Sequence, residues 1–378
     1  MTPPGRLRLV LDARYVRVGR HDGISRYITG LAHGIAQVAS SRPDLDVLLM
    51  VSDPQQVEKL PALEWFLGCD PVSAREIFTG QLLNRLRADV VFSPMQTMGA
   101  FRRRFGLILT LHDLIYYDHP TPPPDLPAPV RAGWRVFHAS PLPQRLALNR
   151  ADAVATVSRT SADLIRDRAL TSRPVHIVPN AADPQWVVPL ETARSSWEKR
   201  HRENPRILVY MGSFMLYKDV ETLVRMASLL PDYHLHLISP ISQARREELT
   251  SLAPQARLVF HNGVDDNTYR SLLQNATALV HASKAEGYGL PLMEALSAGA
   301  PVICSQIPIF HEVTEGAARY IPVGDHARFA AAVRELEDPH VSWSMIKRGL
   351  VVAQRSSWVD SAHKALSVVD TVHRARST

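Results

Sequence analysis

The chain has little cysteine, no long apolar run and no large excess of charge of either sign. Only Cys69 and Cys304 occur among 378 residues, so a disulfide framework is not expected and a cytoplasmic protein is predicted. No apolar run approaches the roughly 20 residues that cross a bilayer, and no signal pattern of basic and then apolar residues opens the sequence. The composition, 46% apolar and 21% charged, is typical of a globular protein.

The net charge of +6 excludes little. A modest basic excess suits anionic substrates or an anionic membrane surface, and it is equally compatible with solubility alone. No nucleic-acid motif accompanies the charge, so no nucleic-acid partner is expected. No Cys or His cluster has zinc spacing, and His234 and His236 alternate as strand residues do, so no metal site is predicted.

A loop with two glycines, placed between an apolar run and a helix, dominates the second half of the chain. The apolar run 278–281 comes first, and the loop after it contains Glu286, Gly287 and Gly289. A helix then begins near Pro291 and ends at Gly299, and a strand follows at 302–304. Apolar runs of this length predict buried parallel strands. Free amides at a helix start favour an anion, and glycine lets a phosphate approach the backbone.

Two carboxylates flank this helix start. Glu286 lies in the loop, and Glu294 lies about one turn into the helix. Because a carboxylate only accepts hydrogen bonds, each suits hydroxyl groups, one on either side of a diphosphate. The sequence therefore predicts a nucleotide-sugar site.

The segment Glu-Gly-Tyr-Gly-Leu-Pro-Leu-Met-Glu-Ala-Leu-Ser-Ala-Gly-Ala-Pro-Val, residues 286–302, resembles the two-glutamate motif of retaining glycosyltransferases of family 4, which have the GT-B fold. The resemblance covers nearly the whole chain and is best from Tyr210 to Trp358. It implies an α/β protein with two facing Rossmann-like, doubly wound domains and a cleft between them. Similarity to bacterial mannosyltransferases of the family favours GDP-mannose as the donor, with UDP-sugars as the alternative.

The order of strands, loops and helices predicts two similar domains. Residues 1–182 are predicted to bind the acceptor, and residues 206–357 to bind the nucleotide-sugar. Residues 183–205 lose periodicity and accumulate charge, which predicts an interdomain linker. Residues 358–378 are predicted to form a helix, which in GT-B enzymes crosses back to the N-terminal domain. Eleven strands are predicted, at 7–11, 47–51, 90–92, 107–111, 153–157, 175–178, 207–211, 235–238, 258–260, 278–281 and 302–304.

Two loops of the N-terminal domain hold candidate site residues. The loop after the first strand is poorer in glycine than is usual in the family, so a close backbone approach to a ligand rests on Gly23. A connecting loop without a ligand is the alternative. His112 follows an apolar strand, and side chains at that end of a parallel strand project into the cleft. The family implies that this histidine contacts the donor sugar, and a histidine that only caps a loop is the alternative.

The loop after the strand at 207–211 is predicted to hold the diphosphate. In the family an arginine and a lysine neutralise the diphosphate here. Lys218 matches the lysine, whereas Ser213 stands where many members have arginine. One cation must therefore serve, or Arg14 or Arg26 must help, and a solvated surface lysine is the alternative for Lys218.

These residues and the family resemblance together imply a metal-independent hexosyltransferase that moves a hexose, with mannose favoured, from a nucleotide-diphospho-sugar to a glycan or lipid-linked acceptor. The predicted catalytic residues are His112, Glu286 and Lys218, and the predicted nucleotide-sugar contacts are Gly23, Ser213, Lys218, Glu286, Gly287, Tyr288, Gly289, Leu290 and Glu294. No cofactor besides the donor substrate is expected. A nucleotide-sugar epimerase or hydrolase on the same fold, and a binding protein without catalysis, are the alternatives.

Three arginines between aromatic residues, at 101–105, could contact anionic phospholipid. A solvated run of charge in a loop is the commoner explanation. The membrane interpretation predicts peripheral attachment to the inner face of a membrane and suits a lipid-linked acceptor.

Overall fold

The structure, a computed structural model, describes residues 6–19, 22–122 and 128–377. It divides into two compact units. The first contains the chain up to Ala181 and the segment from Ser357 onward, and the second runs from Ala182 to Ser356. Each unit has a parallel sheet packed against helices, which is the α/β organisation that the sequence predicts.

The first unit has seven strands and seven α-helices in its described part. The strands are β1 Leu7–Asp12, β2 Leu45–Val51, β3 Glu64–Leu67, β4 Val90–Ser93, β5 Gly106–Thr110, β6 Ala153–Thr156 and β7 Val175–Ile177. The helices are α1 Gly23–Ala39, α2 Thr79–Arg85, α3 Ile115–Asp118, α4 Ala128–His138, α5 Leu142–Leu148, α6 Arg159–Asp167 and α15 Trp358–Ser377. The sheet order is β3-β2-β1-β4-β5-β6-β7, so the order reverses between β1 and β4.

The second unit has a six-stranded parallel sheet. Its strands are β8 Ile207–Tyr210, β9 His234–Leu237, β10 Arg257–Phe260, β11 Ala278–His281, β12 Val302–Ser305 and β13 Arg319–Ile321. Its helices are α7 Leu190–Glu203, α8 Val220–Ser228, α9 Gln243–Leu252, α10 Asp266–Asn275, α11 Leu290–Ser297, α12 Pro308–Thr314, α13 His326–Glu335 and α14 Pro339–Arg355. The order is β10-β9-β8-β11-β12-β13. It reverses between β8 and β11, which is where an open parallel sheet binds its ligand.

Central strands of both sheets contain continuous runs of buried apolar residues. Leu9, Val10 and Leu11 of β1 are fully buried, as are Leu279 and Val280 of β11. A parallel strand covered on both faces has no solvent side to leave polar, so its sequence does not alternate. These strands are therefore the ones that the apolar runs predict.

The last helix, α15, packs against α1 in the first unit. Two glycines one turn apart on α1 make room for it. A Cβ at Gly30 would overlap the indole of Trp358, and a Cβ at Gly34 would overlap the backbone carbonyl of the same residue. The absence of side chains at these two positions lets the helices approach closely.

The segment predicted as a linker, 183–205, is not one. It contains α7 and lies in the second unit. Ala193 of this helix is buried, and the buried Arg200 donates hydrogen bonds to the carbonyls of Gln274 (2.6 Å) and Gly299 (3.2 Å). An arginine occupies part of the buried face of α7, so the face does not look apolar in the sequence.

Two short strands, β3 and β13, are absent from the sequence prediction. Both are edge strands. Three of the four residues of β3 are exposed, and β13 begins with an exposed arginine. Neither segment offers a continuous apolar run or a clean alternation, so only pairing with a neighbouring strand makes them strands.

None of the helices in the described ranges combines the length and the apolar character that crossing a bilayer requires.

Candidate functional site

Two loops of the second unit meet at the carboxyl ends of β8 and β11. The strands pair in parallel, with Leu279 opposite Val209, so the loops that follow them lie side by side. The amide of Lys284 donates to the carbonyl of Tyr217 at 2.8 Å. Its Nζ lies 3.5 Å from Oδ1 of Asp219. The backbone hydrogen bond ties both loops together at the reversal of strand order, and the side chain of Lys284, which is 42% exposed, adds little to it.

Lys218 and Glu286 form an ion pair across these loops. Nζ of Lys218 donates to Oε1 of Glu286 at 2.5 Å, and Oγ of Ser283 donates to the same oxygen at 2.8 Å. The Lys218 and Glu286 side chains are only 13% and 9% exposed. The structure therefore brings together two residues that the sequence predicts to be catalytic and that lie far apart along the chain.

The ion pair keeps Glu286 ionised. Burial by itself raises the pKa of Glu286. The positive charge of Lys218, the neighbouring His281 and the hydrogen bonds from Lys218 and Ser283 outweigh burial, so the pKa lies below its usual range. Glu286 is thus a carboxylate at neutral pH and can only accept hydrogen bonds. A diphosphate arriving here would compete with Glu286 for Lys218.

A buried histidine that the sequence analysis missed lies next to this pair. His281 ends β11, is fully buried, and its Nε2 is 3.8 Å from Oε1 of Glu286. Within the described residues, neither of its ring nitrogens makes a hydrogen bond of normal geometry, although the backbone of Met211 lies close enough to raise its pKa. Burial lowers the pKa of His281 to about 4, so the ring is neutral at neutral pH. At the end of an apolar strand, such a histidine looks like any other core residue.

The start of α11 adds backbone donors to the site. Gly289 is its N-cap, with φ +95, and in the described part of the chain no side chain caps the helix and its first turn has no acidic residue. Leu290 is the first helical residue, and the preceding Gly287 is buried. A helix start without a capping carboxylate favours an anion.

Glu294, Tyr288 and Ser213 complete the predicted contacts in this unit. Glu294 lies inside α11 and is 6% exposed. The hydroxyl of Tyr288 hydrogen-bonds Ser356, and burial raises the pKa of Tyr288 to about 12. Ser213 is exposed, and its carbonyl accepts a hydrogen bond from the hydroxyl of Tyr210 at 2.6 Å. Tyr288 therefore connects the loop to Ser356 by a hydrogen bond, whereas the side chain of Ser213 lies at the surface.

His112 lies in the first unit, beyond the end of β5. Its Nε2 is 2.7 Å from the carbonyl of Pro94, and its ring meets Tyr27 edge-on at 5.0 Å. Since a carbonyl only accepts, Nε2 carries the hydrogen and Nδ1 of the neutral ring is an acceptor. Burial lowers the pKa of His112, although the Pro94 carbonyl and Asp22 raise it. The ring is therefore neutral at neutral pH and can accept a hydrogen bond from a hydroxyl.

His112 also lines a cavity of about 120 Å³ in the first unit. Its other lining residues include Tyr117, His138, Gln144 and Gln96. The hydroxyl of Tyr117 donates to Oε1 of Gln144 at 3.1 Å, and Nε2 of Gln144 donates to Oε1 of Gln96 at 2.5 Å. Amides and hydroxyls beside aromatic rings are suited to a sugar.

Two expectations for the first unit fit its geometry poorly. Gly23 begins α1, but the side chain of Asp22 caps this helix by accepting from the amide of Ser25 at 2.8 Å. A carboxylate thus already lies where Gly23 was expected to admit a phosphate. Arg14 donates from all three guanidinium nitrogens to partners that include Asp12 and Glu76, so it has no free face for a diphosphate.

The arginine run at 101–105 is partly internal. Phe105 is 1% exposed. Arg103 donates to Oδ2 of Asp152 at 2.7 Å and to the carbonyl of Arg150 at 2.7 Å. Arg103 and Phe105 are therefore engaged inside the unit, whereas Phe101, Arg102 and Arg104 are exposed, so the membrane interpretation of this run stays a prediction.

One Asp-x-Asp triplet, Asp44-Leu45-Asp46, bears on the expected lack of a metal. Its carboxylates pair with Arg42 at 2.5 Å and with Arg8 at 2.7 Å. Within the described ranges, no group of three or more His, Cys, Asp or Glu side chains is arranged to hold a metal ion.

Comparison with known families assigns both halves of the chain. Residues 22–186 match the family described as Glycosyltransferase Family 4, and residues 191–349 match the family described as Glycosyl transferases group 1. Together the two matches span most of the chain.

Two curated relatives are similar at low identity. An O-antigen chain mannosyltransferase, RfbU, from Salmonella typhimurium is 25% identical over 198 residues, which cover 51% of this chain and 53% of the relative. A GDP-mannose:cellobiosyl-diphosphopolyprenol alpha-mannosyltransferase from Komagataeibacter xylinus is 29% identical over 174 residues, 42% of this chain and 44% of the relative. The chain thus spans about half the length of these relatives.

A solved structure confirms the fold. Sucrose-phosphate synthase from Thermosynechococcus elongatus superposes with a TM-score of 0.75 at 19% identity, over 98% of this chain and 100% of that chain. At this identity the likeness concerns architecture alone. The chain has the two parallel-sheet α/β domains of the GT-B fold, as the sequence predicts.

Proposed function

Because the chain consists of a glycosyltransferase family 4 domain followed by a glycosyl transferases group 1 domain, we propose that it is a retaining hexosyltransferase. It moves a hexose, mannose for preference, from a nucleotide-diphospho-sugar to a glycan or lipid-linked acceptor. One observation carries the proposal: the ion pair of Lys218 and Glu286 beside the start of α11. It joins a cation suited to a diphosphate with a carboxylate suited to sugar hydroxyls.

The departing diphosphate gains negative charge as the glycosidic bond breaks. Lys218 and the first-turn amides of α11 oppose that charge with groups already in position, which is how active sites stabilise such charge most effectively. When the diphosphate shares Lys218, Glu286 is released to accept from the hydroxyls of the sugar. These groups supply the electrostatic work without a divalent metal.

Retention follows from attack on the face that the nucleotide leaves. Glu286 is bonded to Lys218 and Ser283, and Glu294 lies inside α11, so neither carboxylate is assigned as a nucleophile for a covalent intermediate. Glu286 instead orients the sugar. In the first domain, the neutral ring of His112 is suited to accept from a sugar hydroxyl through Nδ1.

The donor and acceptor follow from the names of the relatives. The Komagataeibacter relative is named for GDP-mannose and for an acceptor linked to diphosphopolyprenol. The Salmonella relative is named as a mannosyltransferase. These names favour GDP-mannose as the donor and a lipid-linked saccharide as the acceptor for this chain, used at the inner face of a membrane.

The test combines donor binding with nucleotide release. Calorimetry with GDP-mannose, UDP-glucose and UDP-galactose would identify the donor, and nucleotide release would be followed with and without soluble and polyprenyl-linked saccharides. Release that requires an acceptor supports transfer. Equal release without any acceptor would indicate the hydrolase or epimerase alternative, and binding of none of the donors would refute the proposal.

Two lysine variants make this test specific for the site. Lys218→Met should lose acceptor-dependent release. Lys284→Met is the matched control, because Lys284 lies in the same pair of loops but is 42% exposed and 3.5 Å from its carboxylate partner. It should retain release close to that of the parent protein.

A further inference from the structure

Helices α4 and α5 carry several exposed apolar side chains in the first unit. No residue of α4 is buried. Val130 and Val136 of α4 are 52% and 73% exposed, and Leu142 and Leu146, one turn apart on α5, are 60% and 59% exposed. The two helices contact each other. We refer to the exposed parts of these two helices as the α4–α5 surface.

The same segment is cationic throughout. Residues 128–150 contain four arginines and neither aspartate nor glutamate. The arginines are Arg131, Arg135, Arg145 and Arg150. Exposed aliphatic side chains accompanied only by positive charge are typical of protein segments that lie at the surface of an anionic bilayer.

We propose that the α4–α5 surface rests on an anionic lipid bilayer, with its aliphatic side chains at the headgroup boundary and the exposed arginines of this segment, Arg135 and Arg150, on lipid phosphates. A second copy of this chain is a poorer occupant, because a symmetric contact would bring like charges together. A free glycan is poorer too, since it offers no apolar surface to the valines and leucines.

The surface continues into the cavity that holds His112. His138, the last residue of α4, lines that cavity. Trp134 of α4 meets Tyr116, which also lines it, at 4.8 Å. A bilayer beneath α4 would therefore present a lipid-linked acceptor next to His112. This role for the surface rests on the proposed function, whereas the lipid contact itself does not.

Binding to vesicles tests the lipid contact directly. The full chain would be sedimented with phosphatidylcholine vesicles that either contain or lack phosphatidylglycerol, at low and at high salt. We expect binding only to the anionic vesicles and weaker binding in high salt, because exposed charges are screened. Each arginine near an anionic surface is worth about a fivefold change in partitioning, so Arg135→Ser with Arg150→Ser should weaken binding about 25-fold.

Matched changes in the second unit serve as controls. Arg202→Ser with Arg225→Ser removes the same charge from exposed positions, and Leu229→Ser removes an apolar side chain that is 49% exposed. Val136→Ser should weaken vesicle binding, and Leu229→Ser should not. Equal losses in the control variants, or a parent that ignores anionic vesicles at low salt, would overturn the proposal. The proposal would also be overturned if light scattering showed a dimer that Val136→Ser dissociates and the parent did not bind lipid.

Donor calorimetry on the same variants separates this proposal from the proposed function. Arg135→Ser with Arg150→Ser should bind the nucleotide-sugar as the parent does, because both changes lie in the first unit, whereas Lys218 and Glu286 lie in the second. If the parent binds vesicles but no nucleotide-sugar, the proposed function fails and the lipid surface stands.

A second inference rests on a different observation, the ring of His281. This ring is fully buried, makes no hydrogen bond of normal geometry within the described residues, and has Nε2 3.8 Å from Oε1 of Glu286. Its nearest backbone partner is Met211. Buried polar atoms without partners are rare because they destabilise a fold. A buried ring of this kind beside a binding site indicates that its hydrogen-bond partner is supplied when the ligand is bound.

We infer that His281 is a positioning residue, which donates from Nε2 to Glu286 when a diphosphate draws Lys218 away. The charged and polar groups that face Glu286 are Lys218, Ser283 and His281. His281 itself faces Glu286, Lys218, the backbone of Met211 and the rings of Tyr210 and Phe310. Of these groups, His281 can replace the hydrogen bond that Lys218 gives up. This inference rests on the proposed function.

The test compares His281→Phe with His281→Gln. Phenylalanine fills the space without a donor, so donor affinity should fall about tenfold or more, which is typical of losing a hydrogen bond to a charged group. Glutamine restores an N–H and should recover most of the affinity. A merely structural histidine would show lower thermal stability in both variants with donor affinity unchanged, and that result would overturn the inference. A parent that binds no donor would instead refute the proposed function.

Discussion

Replacing Lys218 by methionine should destabilise the second unit, because it leaves Glu286 as a buried charge without its cation. The two side chains are 13% and 9% exposed, so water replaces little of the lost interaction. Removing one partner of a buried ion pair costs about 3–5 kcal/mol. The hydrogen bond from Ser283 to Glu286 remains, so we expect a loss of stability of about 3 kcal/mol, at the lower end of this range. For a domain of roughly 150–250 residues, about 3 kcal/mol lowers the thermal midpoint by about 6–12 °C.

The loss should also depend on pH with a definite sign. In the parent, the pKa of Glu286 lies below its unfolded value of about 4.3. Its contribution to stability is therefore complete above that pH and is lost only as the pH falls through the folded pKa. In Lys218→Met, burial becomes the main influence and raises the folded pKa above the unfolded value. The variant then loses stability as the pH rises, so its deficit is larger at about pH 8 than at about pH 5.

Thermal unfolding of the parent and of three variants measures this effect. Lys218→Met with Glu286→Gln should recover most of the loss, because a neutral amide needs no cation. Lys284→Met is the control for removing a lysine at the surface and should stay within about 0.5 kcal/mol of the parent. A deficit that is the same at both pH values, or that the double variant does not recover, would refute the reasoning.

Three further predictions concern the same unit. Glu294→Ala should weaken binding of the nucleoside diphosphate about tenfold to a hundredfold, because it removes the acceptor for ribose hydroxyls, and unchanged affinity by calorimetry would contradict that role. Gly289→Ala should lower stability in denaturant titrations by about 1–2 kcal/mol from its left-handed backbone alone, and by more because the new Cβ would lie 2.9 Å from Phe310. Gly316→Ala is the control: Gly316 has φ +82 and open space around it, so this change measures the cost of the left-handed backbone without a steric clash. Transfer should persist in a chelator, and activity that disappears there and returns with manganese or magnesium would contradict a metal-independent reaction.

Much of the fold could be predicted because its signals are local. The apolar runs of β1 and β11 name the central strands, since a parallel strand buried on both faces has no polar side. Gly289, Pro291 and Gly299 mark the limits of α11 in the same way, through backbone conformations that one or two residues determine. The edge strand β3 and the helix α7 escaped prediction because their stability comes from neighbours distant in the chain.

The sequence by itself determined which residues are chemically suited to a diphosphate and a sugar, namely Lys218, Glu286 and Glu294, and the family resemblance supplied the grouping. Only the tertiary structure decided how such groups pair. Lys218 meets Glu286 because β8 and β11 are neighbours in the sheet. No local sequence pattern predicts the order of the strands in a sheet. The same holds for His281, since its burial beside a carboxylate depends on a loop that folds back over the end of its strand.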